Sequence, residues 1–227
     1  LTPSLLPDGR HRLHLDIDML AADAMSYRML LADLVALYDD QAQPAAEVTY
    51  RDYLTYRAEH PDPNHDRDRR WWSERLDDLP SGPALPARVD TADAVNTGDS
   101  RRRHPNRVVR HHHWFDAAAK ETLIGAAHER GVTPAIALAA VFAATIGAWS
   151  SEDRFLLNVP LFHREPLHPE IERISGDFSS SVLVDVDVRH TRSILDLARS
   201  MQKTMHANGS HASYGALEVL RVAVWGV

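Results

Sequence analysis

Asp16-Ile17-Asp18-Met19-Leu20-Ala21-Ala22-Asp23-Ala24-Met25-Ser26 stands where one hydrophobic period gives way to another. Upstream, residues 11–17 alternate polar and apolar side chains, which predicts a half-buried strand. Downstream, Met25, Met29, Leu30, Leu34 and Leu37 recur at helical spacing, which predicts a helix from Asp23 to Tyr38 with Asp23 as its N-cap. Asp18 and Asp23 thus bracket an apolar junction. A carboxylate buried there is costly unless it is ion-paired or hydrogen-bonded, so Asp23 is expected within hydrogen-bond reach of an arginine.

The rest of the chain alternates helices with strands, which implies an α/β architecture. Two helices are expected over residues 50–60 and 67–76, separated by Pro61-Asp62-Pro63-Asn64, with Trp71-Trp72 as apolar payload. Residues 79–106 hold Pro80, Pro83, Pro86, Gly98 and Pro105 and read as a long connection between two lobes. A strand follows over 107–115, then a helix capped by Asp116 and stopped by Gly131. Thr133-Pro134 opens a helix to Trp149 with no polar face, which predicts burial on all sides. Residues 155–162 read as a buried strand, 180–188 as an alternating one, 193–206 as an amphipathic helix and 214–221 as another.

Composition narrows the function. A net charge of −7 argues against a nucleic-acid binder, and Arg101 to Arg103 is the one tight basic cluster. No apolar run approaches the ~20 residues needed to span a membrane, and no signal peptide is visible. A cytoplasmic protein is expected. The chain has no cysteine, which excludes disulfides and thiolate chemistry.

Asp18, Asp23 and Ser26 spell D-x-x-x-x-D-x-x-S. This resembles the signature of heterocyclization domains of nonribosomal peptide synthetases. They are relatives of the condensation domains, which carry H-H-x-x-x-D-G at that place. Four more segments follow in the family's order. Leu79-Pro80-Ser81-Gly82-Pro83-Ala84-Leu85-Pro86 resembles L-P-x-x-P-x-L-P, and Thr133-Pro134 through Leu138 to Trp149-Ser150 resembles T-P-x-x-x-L with a helix ending in W-S. Phe155-Leu156-Leu157-Asn158-Val159-Pro160-Leu161-Phe162-His163-Arg164 is similar to F-L-L-N-x-P-L-F-x-R. Gly176-Asp177-Phe178-Ser179 corresponds to G-D-F-T, with Val186-Asp187 after it.

The resemblance implies a two-lobed, chloramphenicol-acetyltransferase-like condensation-domain fold of α/β class. Residues 1–106 would close an N-terminal lobe and make the inter-lobe connection, and residues 107–227 would open a C-terminal lobe. Complete domains are roughly twice this length, in the range where chains split into lobes, so the fold is expected to be incomplete at both ends. In particular, the V-F-T-S-like and P-Q-V-W-L-D-like motifs associated with cyclodehydration find no match here.

The implied reaction joins a carrier-bound acyl or peptidyl thioester to the amine of carrier-bound Cys, Ser or Thr. Ring closure with loss of water then leaves a thiazoline or oxazoline, as in siderophore or antibiotic biosynthesis. Both substrates would ride on the phosphopantetheine of upstream and downstream peptidyl carrier proteins, beside an adenylation domain. No cofactor or metal is expected on the domain itself. Asp18, Asp23, Asn158 and Asp177 are the catalytic candidates; Ser26, Phe178 and Ser179 are the substrate-binding candidates.

The residue types temper these roles. The resemblance implies a structural Asp23, since the family's second acid clamps the fold through an arginine, with Arg164 as a candidate partner; Ser26 has no base to activate it. Asn158, in an apolar run, reads by itself as a buried amide needing partners, whereas the resemblance, in which this Asn lines the substrate tunnel, implies an active-site group that orients the acceptor amine or an oxyanion. Asp177 reads as an Asx-turn residue. His111-His112-His113-Trp114-Phe115-Asp116 spells H-H-x-x-x-D but follows the L-P-x-x-P connection and ends in an N-cap, so a half-exposed histidine strand is expected there. The rivals are a non-catalytic remnant or docking scaffold of a synthetase, and an ordinary amide-forming condensation domain, against which Asp18 argues.

Overall fold

The chain turns back on itself within its first fourteen residues, because Gly9 adopts φ +81° and its N–H donates to the Leu6 carbonyl at 3.0 Å. Strands β1 (Thr2–Leu5) and β2 (His11–His14) pair antiparallel, from Thr2 opposite His14 to Leu5 opposite His11. The structure is a computed structural model that describes residues 1–41, 44–86, 109–162, 164–189 and 191–225. The Arg101–Arg103 cluster, His163 and most of the 79–106 connection lie outside the described residues. The strand expected over 11–17 is shorter than its pattern: β2 ends at His14, residues 15–17 have no ladder partner among the described residues, and all four β2 residues are exposed.

Helices α1 (Ala24–Tyr38), α2 (Tyr50–Glu59) and α3 (His65–Ser73) follow. Helices α4 (Ala117–Glu129) and α5 (Pro134–Trp149) precede strands β3 (Arg154–Phe162) and β4 (Ser179–Asp187), which pair in a two-stranded sheet. Helices α6 (Ile194–Gly209) and α7 (Ala216–Trp225) complete the order. Caps set most starts: Asp116 accepts from Ala119 N–H at 2.7 Å, Thr133 from Ile136 N–H at 3.3 Å, and Ser193 from Asp196 N–H at 3.1 Å. Gly131, at φ +70°, follows the end of α4.

The residues sort into two units, one of Leu1–Glu74, Val159–Val182 and His211–Val227, the other of Arg75–Asn158 and Leu183–Ser210. In the first, Tyr53, Ile171, Ile174 and Phe178 form a buried cluster with Ala46, Val48 and Tyr50 against it. Trp72 is buried as well, and its indole N–H donates to the His211 carbonyl at 3.1 Å. In the second, α5 packs on α6, and Gln202 of α6 bonds both Thr133 N–H (2.9 Å) and the Gly131 carbonyl (3.0 Å). The L-P-x-x-P and W-S motifs meet there: Ala84 N–H donates to Ser150 Oγ at 3.1 Å and Ser151 N–H to the Ala84 carbonyl at 3.0 Å. Leu156 N–H, on β3, donates to the Ser81 carbonyl at 2.8 Å.

Three expectations need correction. Helix α5 is not buried on all sides: Ala140 and Ala143 are, but Leu138, Phe142 and Trp149 are 49%, 58% and 69% exposed. An apolar composition records what a face can bury, not what covers it. Strand β3 is likewise only partly covered, with Phe155 buried and Asn158, Pro160 and Phe162 exposed. Residues 109–115 form no strand; they are exposed and find no ladder partner among the described residues. No single helix among the described residues is long and apolar enough to cross a membrane.

Candidate functional site

The segment that opened the sequence folds onto the Gly176-Asp177-Phe178 turn, and the meeting is dense in hydrogen bonds. Asp23 caps α1, accepting from Ser26 N–H at 2.7 Å through Oδ1. Its other oxygen accepts from Phe178 N–H at 3.3 Å, and its own N–H donates to the Gly176 carbonyl at 3.0 Å. Ser26, one turn on, donates through Oγ to that same carbonyl at 2.8 Å and accepts Gly176 N–H at 3.0 Å. The serine side chain therefore does for Gly176 what a neighbouring strand would do, satisfying both backbone groups.

Arg164 closes the arrangement. Its Nη2 donates to Ser26 Oγ at 2.9 Å and to Asp23 Oδ1 at 3.3 Å, while Nη1 donates to the Ile171 and Ile174 carbonyls at 3.0 and 2.6 Å. The guanidinium carbon also sits 4.1 Å from the centroid of the Phe178 ring. Asp23, Ser26 and Arg164 are all buried. The arginine expected beside Asp23 is thus present, and every bond described for Asp23 and Ser26 goes to another part of this junction.

Burial alone would raise the Asp23 carboxyl above its ordinary value. The Ser26 N–H and hydroxyl, the Arg164 charge and Phe178 N–H outweigh that and hold it below. A second buried carboxylate behaves alike. Asp68 of α3 is 1% exposed and accepts from Arg67 Nε at 2.7 Å, from His211 Nδ1 at 2.9 Å and from the Ser213 hydroxyl. Desolvation opposes ionisation there, but the Arg67, Ser213 and His211 hydrogen bonds and the Arg67 charge lower its pKa from 3.8 to about 2. Asp68, His211 and Ser213 do not form a nucleophile relay, since the serine bonds the carboxylate and not the imidazole.

Both carboxylates therefore take up protons at lower pH in the folded than in the unfolded state. Their stabilisation is complete above about pH 4 and is lost as pH falls through the folded values. For Asp68 it amounts to about 2 kcal/mol. Urea midpoints measured from pH 6 to pH 2 should decline only in the acid limb, and Asp68→Asn should flatten that limb. An equally steep decline in the variant would refute the assignment.

The remaining candidates differ in how much they expose. Asp18 lies in a turn, exposed, with Oδ1 accepting from Leu20 N–H at 2.9 Å. Asp177 is half-buried and makes the expected Asx turn, accepting from Ser179 N–H at 3.0 Å. Ser179 is exposed, whereas the Phe178 ring is buried against Tyr53, with centroids 4.8 Å apart. Asn158, in the other unit, is exposed on β3 with no hydrogen-bond partner among the described residues, so the reading as a satisfied core amide is set aside. A cavity of about 340 Å³ beside α1, lined by Met29, Asp33, Leu37, Pro44, Glu172 and Arg173 among others, contains none of these residues. Among the described residues no three His, Asp or Glu side chains converge as metal ligands.

Sequence reasoning missed Asp68 and placed Gly176 in the G-D-F-T match without naming it among the site residues. Asp68 sits in His65-Asp66-Arg67-Asp68-Arg69-Arg70, a run whose charge pattern reads as a solvated face. Gly176 carries the one signal that was available, a glycine opening a motif.

Residues 6–222 match the family model described as Condensation domain. The chain is 46% identical over 221 residues to phenyloxazoline synthase MbtB of Mycobacterium sp. (strain MCS), covering 97% of this chain and 18% of that protein. It is 36% identical over 213 residues to pyochelin synthetase PchF of Pseudomonas aeruginosa (strain PAO1), covering 92% of this chain and 11% of that one. Among solved structures it is similar to the EpoB NRPS cyclization-docking bidomain from Sorangium cellulosum, with TM-score 0.76 and 30% identity over 91% of this chain and 40% of that chain. It spans less than a fifth of the length of these two curated relatives.

Proposed function

The chain belongs to the condensation-domain family, and on that premise we propose that it forms part of a heterocyclization domain of a nonribosomal peptide synthetase. The observation that carries this reading is the junction at Gly176. The acids and serine of D-x-x-x-x-D-x-x-S and the G-D-F turn lie 150 residues apart, and Ser26 Oγ bonds both backbone groups of Gly176. The reading is supported by the similarity to a phenyloxazoline synthase. An oxazoline ring contains oxygen, so the acceptor amino acid proposed is Ser or Thr rather than Cys.

In the proposed reaction the acceptor amine attacks a carrier-bound thioester, a C–N bond forms, the C–S bond breaks, and the thiol leaves with the amine's proton. The acceptor hydroxyl then adds to the new amide carbon. The resulting hydroxyl leaves with the nitrogen's proton as water, giving the C=N bond of the ring. Two substrates tethered on phosphopantetheine arms gain most of their rate from proximity. Peptidyl carrier proteins and a neighbouring adenylation domain are the partners proposed, in the cytoplasm.

Asp23 and Ser26 keep the proposed site in shape. Asp18, Asp177 and Ser179 are left with atoms for substrate in that unit, Asn158 is proposed separately in the other unit, and the lobe division near residue 106 belongs to the same proposal. The test is a chimera in which residues 1–225 replace the matching stretch of the mycobacterial phenyloxazoline synthase. The product on the carrier should weigh one water less than the linear amide. Amide without water loss would favour an ordinary condensation domain, and no amide from a soluble, carrier-loaded chimera would favour a scaffold.

A further inference from the structure

Gly176, Asp177 and Phe178 are each held by a side chain. Asp23 and Ser26 hold Gly176 and Phe178, and both belong to the recognised motif. The Asp177 carbonyl is held from elsewhere, by the hydroxyl of Tyr50, the first residue of α2. That residue is fixed in turn by the α2 cap. Thr49 N–H donates to Asp52 Oδ2 at 2.9 Å, and Asp52 N–H returns to Thr49 Oγ1 at 3.3 Å.

The Tyr50 ring also lies edge-on to Phe178, with centroids 5.0 Å apart. It lies so close over Gly176 that a Cβ built there would overlap its ring atoms. Gly176 is not in the left-handed region, so what selects glycine here is room for Tyr50 and not backbone freedom.

We propose that Tyr50 is a positioning residue of the candidate site. Its hydroxyl on the Asp177 carbonyl and its ring against Gly176 fix the turn that presents the Asp177 carboxylate and the Ser179 hydroxyl. The inference rests on the reading of this turn as part of a heterocyclization site. It adds a residue from outside the motifs, whose contribution is orientation. The buried setting and the nearby Asp177 charge both raise the Tyr50 pKa, which keeps the phenol protonated as a donor.

One arm of the test uses the chain itself and makes no reference to activity. Tyr50→Phe keeps the ring and removes one hydrogen bond. Amide exchange at Phe178 and Ser179 should quicken by about tenfold, the equilibrium worth of such a bond, while α1 and α3 amides stay unchanged. Gly176→Ala should disturb the same amides in the native chain and add little in a Tyr50→Ala background, because the clash partner is gone. Unchanged exchange in Tyr50→Phe, or a Gly176→Ala effect of full size without the Tyr50 ring, would overturn the proposal.

The other arm uses the oxazoline-synthase chimera. Tyr50→Phe should lower kcat for ring formation about fivefold to tenfold with KM for the carrier-bound substrates little changed. An unchanged kcat in an active chimera overturns the positioning role. So does a fall that only tracks a drop in melting temperature with faster exchange throughout the unit. A wild-type chimera that makes no ring sinks the heterocyclization reading instead, and the exchange arm still decides whether Tyr50 holds the turn.

Discussion

Arg164→Met is expected to destabilise the unit that contains α1 by about 3–5 kcal/mol, the cost of leaving a buried charge without its partner. Asp23 would keep its cap to Ser26 N–H but lose the one cation within reach among the described residues, and its side chain is fully buried. The Ile171 and Ile174 carbonyls would lose the Arg164 donor at the same time, and Ser26 Oγ would keep only the Gly176 N–H of its two donors. Asp23→Asn is expected to be milder, because asparagine caps a helix about as well as aspartate. The double variant separates mechanisms. If the damage in Arg164→Met comes from the orphaned carboxylate, Asp23→Asn should partly rescue it, giving a double variant more stable than Arg164→Met alone. Simple additivity in denaturant melts would mean that the arginine's carbonyl bonds, and not the ion pair, hold the junction.

Much of this junction was legible before any coordinates. Asp23 has the chemistry of an N-cap, a helical period starts right after it, and a carboxylate in an apolar stretch demands a cation. These are local rules, and they succeeded where structure is local: the Asp116 and Thr133 caps, the Gly131 stop and the extents of most helices. What could not be read is anything decided by a distant partner. The hairpin over residues 2–14 depends on a short strand, Thr-Pro-Ser-Leu, with no alternation to announce it. The exposure of Phe142 and Trp149 depends on what lies against α5, which an all-apolar sequence does not encode.

The same division holds for chemistry. The resemblance to heterocyclization domains named the residues of the junction, but not that Ser26 would be saturated or that Tyr50 would reach the Asp177 carbonyl. Asn158 is a different case, exposed where Ser26 is saturated. Its neighbours Leu156, Leu157, Val159 and Leu161 are only partly buried, so an apolar run surrounds an amide that is free to meet a ligand.

That freedom makes Asn158 the place for a large kinetic effect with a small structural one. In the oxazoline-synthase chimera, Asn158→Ala should lower amide and ring formation by about 10²–10³-fold if the carboxamide donates to a tetrahedral oxyanion. Stability should change by no more than about 0.5 kcal/mol, as for other exposed positions without a partner. Asn158→Asp tells the two proposed roles of the amide apart. A carboxylate facing a developing oxyanion repels it, so the rate should fall at least as far as in the alanine variant. If the amide carbonyl instead orients the acceptor amine, the carboxylate preserves an acceptor of the same size and should retain much of the rate. The measurement is the single-turnover rate of carrier-bound product by mass, read beside a denaturant melt for each variant. Full ring formation in Asn158→Ala, or a loss of activity that only follows unfolding, would end the proposed role of Asn158.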